Sequence, residues 1–242
     1  MITIKDRALT PNRRAIEGIA RVLARSGETP IIVHGGGSFG HYWSVKYDMH
    51  TKPGLYNSRG ISVVHESMVS LNQIVVKSMS NVGLAPYGIS PSSFFAEGKL
   101  DVAKLNELVE FTHRGIVPII FGDVVHISKG RFSIISGDVL MTQIATHLRP
   151  SRVIFTVNVD GVYEDMKKKK LVRVLNFPTG KINIANSAVD VTGGMGRKIS
   201  EAFEIAKLGV NVNIVNGLNH DRVFDILKGV EVTGTIIPAI SC

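Results

Sequence analysis

Short apolar runs alternate along the whole chain with stretches whose apolar residues recur three and four positions apart. The first such stretch carries Ile16, Ile19, Ala20, Val22 and Leu23 on one stripe, and Thr10-Pro11 predicts its cap, with proline at the first helical position. "PIIVH" then reads as a buried strand. A helix is expected from about Ser38, and a longer one, rich in Val, Met and Leu, from about Ile61 to Asn81. "APYGI" and "VPIIF" read as strands with the helix "DVAKLNELVEFTHR" between them, and "DVVHIS-KGR-FSII" predicts a hairpin turned at Lys129-Gly130. "GDVLMTQIATHL" is a helix, "RVIFTV" a strand, "RKISEAFEIAKLG" a helix closed by Gly209, and "VNVNIVNG" a strand. Strands separated by helices of this length imply parallel pairing with helices on both faces. No repeat or linker divides the chain, so the pattern predicts one α/β domain over residues 1–242, a three-layer α/β/α sandwich around a mostly parallel sheet.

Composition narrows the classes. No run reaches the ~18–20 apolar residues of a membrane span, and "MITIKDRALTP" has no apolar core of a secretory signal. The single cysteine, Cys242, allows no internal disulfide, which fits a reducing cytoplasm. A net charge of +8 suits nucleic acid or small phosphate substrates, but nucleic-acid-binding signatures are absent and aromatic residues are few. The run "MKKKK", 166–170, reads as a solvated loop tip.

The chemistry concentrates in glycines. "IIVHGGGSFGH", Ile31 to His41, runs from strand through glycine turn to helix, the geometry that presents backbone N–H groups and a helix N-terminus to an anion. Gly35, Gly37 and Gly40 satisfy G-x-G-x-x-G, yet the ribose-binding carboxylate of a dinucleotide site is missing around Asn57 to Val64. The P-loop signature is absent as well. "ISGDVL" places Ser-Gly-Asp at another helix start, and "DVTGGMGRK" places Gly193, Gly194 and Gly196 ahead of a helix whose early residue is Lys198. A lysine in a first turn opposes the helix dipole and is better placed with an anion beside it. Three such openings predict several phosphates at the carboxyl edge of a parallel sheet, and hence phosphoryl transfer.

"VHGGGSFGH", "PSSFF", "FGDVV", "ISGDV", "VDGVY", "DVTGGMGRK" and "VNGLNHDR" follow one another in an order that resembles the archaeal isopentenyl phosphate kinases of the amino acid kinase superfamily. The resemblance implies the amino acid kinase fold and ATP-dependent phosphorylation of isopentenyl phosphate to isopentenyl diphosphate, with Mg²⁺, in a cytoplasmic homodimer. It also implies a small-molecule phosphate as partner, with no nucleic acid or membrane, the acceptor held by the N-terminal part and the nucleotide by the C-terminal part. Gly36 and Gly137 would lie at the acceptor phosphate and Gly37 at the transferring one, while His41 would donate a hydrogen bond to the acceptor. Asp138 would order lysines, or a metal through water. Asp160, Gly194 and Lys198 would serve the nucleotide, and Lys5 would stabilise charge on the moving phosphoryl group.

Two departures from the family pattern stand out. The family opens with a strand ending Lys-[Ile/Leu]-Gly-Gly-Ser, whereas "MITIKD" corresponds to the segment just past it, so a first strand is expected to be missing and a strand edge exposed. Val139 follows Asp138 where the family usually shows a second Asp. Those departures favour an alternative, a nucleotide-binding sensor or storage protein of this fold; a kinase for another acceptor, such as uridine monophosphate, is a further one. The helix through Val63, Val64, Met68, Val69, Leu71, Ile74, Val75 and Met79 is apolar over more than one face. Most of it is expected to be core, and part of it is a candidate wall for an apolar tail.

Overall fold

Helix α1 (Arg13–Ser26) buries Ile16, Ala20, Val22 and Leu23, the stripe expected from the sequence. Its cap differs from expectation. Pro11 bridges Thr3 in an antiparallel pairing, and Asn12 caps the helix, its side chain accepting from the Ala15 N–H at 3.2 Å. The computed structural model describes residues 1–96, 99–165, 170–176 and 194–240. They fall into two compact units, Met1–Gln143 and Ile144–Cys242.

In the first unit, β1 (Ile32–His34) leads into α2 (Gly37–Lys46) and α3 (Ser58–Ser80). There follow β2 (Ala85–Ile89), a 3-10 turn (Pro91–Phe94), the short pair β3 (Phe95–Ala96) and β4 (Lys99–Leu100), then α4 (Val102–His113) and β5 (Ile116–Phe121). A hairpin of β6 (Asp123–Ser128) and β7 (Arg131–Ile135) precedes α5 (Gly137–Leu148), which runs on into the second unit. Strands β1 and β2 both pair in parallel with β5, in the order β1-β5-β2, with His34 opposite Phe121 and Ile89 opposite Ile120. Their carboxyl ends therefore lie side by side. The β6–β7 hairpin turns where expected, with Lys129 and Gly130 at φ 48° and 71°, the left-handed pair that a tight two-residue turn requires.

The core of this unit is mostly what binary patterning dictates. Val64, Met68, Leu71, Val75 and Met79 of α3 are buried, and Met68 and Leu71 pack with Phe39 and Phe121. A second cluster joins Met49, Val64 and Val124 to the half-buried rings of Trp43, Tyr47, Tyr56 and Phe132. Fully burying such side chains is worth roughly 1.5–3 kcal/mol each, which is what fixes α3 against the sheet.

The second unit holds β8 (Arg152–Val157), β9 (Tyr163–Asp165), β10 (Lys170–Leu171), α6 (Gly194–Ala206), β11 (Asn211–Asn216), α7 (His220–Leu227) and β12 (Thr235–Ile237). Strands β8 and β11 are parallel and β12 runs antiparallel on the far side of β11. The α6 helix begins three residues earlier than the sequence pattern suggests. Gly194 and Gly196 consequently lie within its first turn and Lys198 in its second, while Gly193 and most of "MKKKK" lie outside the described residues. No described helix is long and apolar enough to cross a membrane.

Candidate active site

At the carboxyl end of β1 the chain turns through Gly35 and Gly36 into α2. Gly36 is the helix cap, and a Cβ there would stand 2.8 Å from the Met68 sulfur. Gly37 has φ +49°, a conformation L residues rarely adopt, and a Cβ there would meet the Thr3 hydroxyl. That hydroxyl accepts from the Ser38 N–H at 3.0 Å. Among the described residues no acceptor takes the Gly36 or Gly37 N–H, so these two amides are the donors the turn offers to an incoming anion.

A second helix start converges on the same turn. A Cβ on Gly137, the first residue of α5, would lie 3.0 Å from the His34 carbonyl carbon and oxygen and 3.1 Å from the Gly35 nitrogen. Gly122, just past β5, donates its N–H to the His34 carbonyl at 2.9 Å, and a Cβ there would stand 2.9 Å from the Gly137 nitrogen. Backbones approach this closely because no side chain intervenes. The result is two helix N-termini meeting at the carboxyl edge of a parallel sheet, where the positive ends of both dipoles favour a phosphate. Asp138 is half-buried in the first turn of α5, and its carbonyl accepts from the Thr142 hydroxyl at 3.4 Å.

The surrounding ionisable groups are set by burial. His34 is buried and stacks on Phe121, its ring nitrogens 3.2 Å from the Gly35 carbonyl and 3.3 Å from Asn72 Oδ1. Burial holds it well below the ordinary histidine range, so it is a neutral prop for the turn. Asp123, first residue of β6, is buried, and its carboxyl is pushed up to about 6 by that burial while His65 pulls it back. The two side chains meet at 2.6 Å through His65 Nδ1.

Of the residues expected from the sequence, Gly36, Gly37 and Gly137 are brought together around this turn. His41 lies one helical turn further along α2, exposed, with no described partner for its ring. Lys5 is exposed in the turn between Thr3 and Thr10. Asp160, Gly194 and Lys198 belong to the second unit. Asp160 accepts from Arg222 at 2.6 Å and from Asn216 at 3.2 Å, bonds that hold its carboxyl below the usual range. Lys198 places its ammonium 5.1 Å above the Phe155 ring. Gly194 opens α6 with no described atom within 4 Å of where a Cβ would stand.

Four members of the cluster were not anticipated as site residues: Thr3, Gly122, Asp123 and His65. "FGDVV" stood out as a motif, and the glycine followed by an acid directly after an apolar strand was the available signal for two of them.

Residues 6–216 match the amino acid kinase family. The isopentenyl phosphate kinase of Thermoplasma acidophilum is 31% identical over 239 residues, covering 98% of this chain and 96% of the relative. That of Methanothermobacter thermautotrophicus is 33% identical, covering 93% and 91%. The crystal structure of the T. acidophilum isopentenyl phosphate kinase product complex superimposes with a TM-score of 0.78 at 30% identity, covering 98% of this chain and 95% of that one.

Proposed function

The chain belongs to the amino acid kinase family, and from that premise we propose that it transfers the terminal phosphoryl group of ATP to isopentenyl phosphate, giving isopentenyl diphosphate. The observation that carries this reading is the close meeting of the Gly36–Gly37 turn with the Gly137 helix start, a cradle of amides with no room for side chains. Phosphoryl transfer needs mainly positioning and charge neutralisation, and this cradle supplies both.

In this mechanism the Gly36 and Gly137 amides grip the acceptor phosphate, and the Gly37 amide meets the transferring one. His41 donates to the acceptor, Lys5 offsets charge as the phosphoryl moves, and Lys198, Gly194 and Asp160 serve the nucleotide. Neutral His34 fixes the Gly35 carbonyl and with it the direction of the turn. Mg²⁺ would screen the nucleotide oxygens. That ion would be carried largely by phosphate and water, with Asp138 reaching it through water. An apolar tail on the acceptor would lie along α3 and the rings of Trp43 and Tyr47. The reading extends to one domain working as a cytoplasmic homodimer.

The test is ADP release on mixing the protein with ATP, Mg²⁺ and isopentenyl phosphate, with the product identified by mass. Isopentenyl diphosphate is the expected product. ADP release independent of isopentenyl phosphate, or faster with uridine monophosphate, would overturn the assignment.

A further inference from the structure

Asp123 and His65 form a pair that the reaction as described leaves without a task. The carboxylate is 1% exposed, immediately follows Gly122, and so stands one residue from the backbone that touches Gly137. Its Oδ1 accepts from the Val124 N–H at 2.8 Å and its Oδ2 from His65 Nδ1 at 2.6 Å. His65 lies on α3 one turn before Met68, whose sulfur fills the space beside Gly36 and Gly40. Further along the same stripe, Asn72 reaches His34. The stripe thus follows the carboxyl edge of the sheet from β1 to β5, and His65 stands at its β5 end.

Burying a carboxylate is costly, and packing alone would be served better by an apolar residue. What the pair provides is orientation. A carboxylate on Nδ1 fixes the direction of the ring, as carboxylates behind other working histidines do. The His65 side chain remains 45% exposed, and among the described residues Nε2 has no partner. A ring held by one nitrogen and open at the other is built to meet something from solvent.

We propose that His65, aimed by Asp123, is a second imidazole donor to the phosphate of the acceptor, in addition to His41. This rests on the glycine cluster being the acceptor-phosphate site. The ligand chemistry is a phosphomonoester dianion: phosphate takes the N–H at Nε2 and Asp123 the one at Nδ1, and the imidazole offsets charge that grows as the monophosphate becomes a diphosphate. His65 is the binding group and Asp123 a positioning residue.

The two conservative replacements separate this role from a structural one. His65→Asn keeps an amide N–H where Nδ1 stood, so Asp123 stays partnered, but removes the outer nitrogen. His65→Gln places its amide nearer the Nε2 position and abandons Asp123. In the full-length protein, His65→Asn is expected to keep near-wild-type thermal stability and the KM for ATP, while the KM for isopentenyl phosphate rises roughly tenfold or more, the weight of one charged hydrogen bond. His65→Gln is expected to lose stability yet retain more acceptor affinity than the Asn variant. Independently of turnover, titrating ¹⁵N-histidine-labelled protein with inorganic phosphate should move the His65 ring signals, and Asp123→Asn should weaken that response. Unmoved His65 signals, or a His65→Asn variant with unchanged acceptor KM, would overturn the proposal even if wild type is an active isopentenyl phosphate kinase. A wild type that binds phosphate through His65 but does not turn over isopentenyl phosphate would instead remove the substrate assignment and leave the phosphate donor standing.

Discussion

Glycines open helices in both units, for different physical reasons. Around α2 and α5 they are enforced by protein atoms: Met68 beside Gly36, Thr3 against Gly37, and the His34 carbonyl against Gly137. At the start of α6, Gly194 faces open space among the described residues. The same motif thus does two jobs. In the first unit glycine lets the protein close on itself and leave backbone amides facing outward; in the second no described atom stands where a Cβ would project. A glycine-rich helix start cannot be interpreted until its neighbours are known.

The sharpest way to break this contrast is Gly37→Ala. Left-handed backbone and collision with Thr3 together should destabilise the fold by roughly 3–5 kcal/mol, read as a fall in the denaturation midpoint. A stable Gly37→Ala protein would mean that the first turn is as open as the second.

Next comes the buried carboxylate that, among the described residues, only the first unit has. Asp123 is raised to about 6 from an ordinary 3.8, so between those values the native state holds more proton than the unfolded chain. The sign follows: this group's contribution to stability is largest at low pH and is lost as pH rises through 6, over a range on the order of 3 kcal/mol. Wild type should therefore gain stability relative to Asp123→Asn on going from about pH 7.5 to about pH 4.5, measured by denaturant unfolding. Equal differences at both pH values would refute the shift.

His41→Ala sharpens the contrast from the side of function. Loss of the donor proposed for the acceptor phosphate should cost about 1.5–3 kcal/mol in kcat/KM for isopentenyl phosphate, with nucleotide binding unchanged. The smallest effect belongs to Gly194→Ala, which should leave stability within about 1 kcal/mol of wild type, or raise it, since alanine is the better helix former. Nucleotide affinity should fall instead, measurable by calorimetry. A large stability loss there would erase the distinction between the two units.

Much of this was legible in the sequence. Strand–glycine–helix at Ile31 to His41, the Lys129-Gly130 hairpin and the parallel alternation all rest on local pattern, and local pattern survives folding. The start of α1 was misjudged because Thr10-Pro11 has the right residue types, but only Asn12 stands three residues before the Ala15 N–H it caps. Thr3 was invisible because its partner Ser38 lies 35 residues away, and nothing in a threonine near a chain start marks it as a helix cap. His65 and Asp123 are 58 residues apart, each unremarkable alone. Short elements such as α7 and β12 carry too few periodic positions to stand out.

The register of the first sheet also governs when the glycine cradle can come into being. Ile32 pairs with Ile119, so the two strands whose ends carry Gly35 and Gly122 are joined across a loop of more than eighty residues. Closing such a loop costs chain entropy before any strand contact repays it, and parallel pairings of this separation form slowly. Helices α1 to α4 can gain structure locally while no amide cradle yet exists. The cradle appears only when β5 docks beside β1. During refolding, recovery of phosphate affinity should therefore lag behind recovery of helical signal, and a nascent chain acquires its chemistry only after residue 137 has been synthesised and placed.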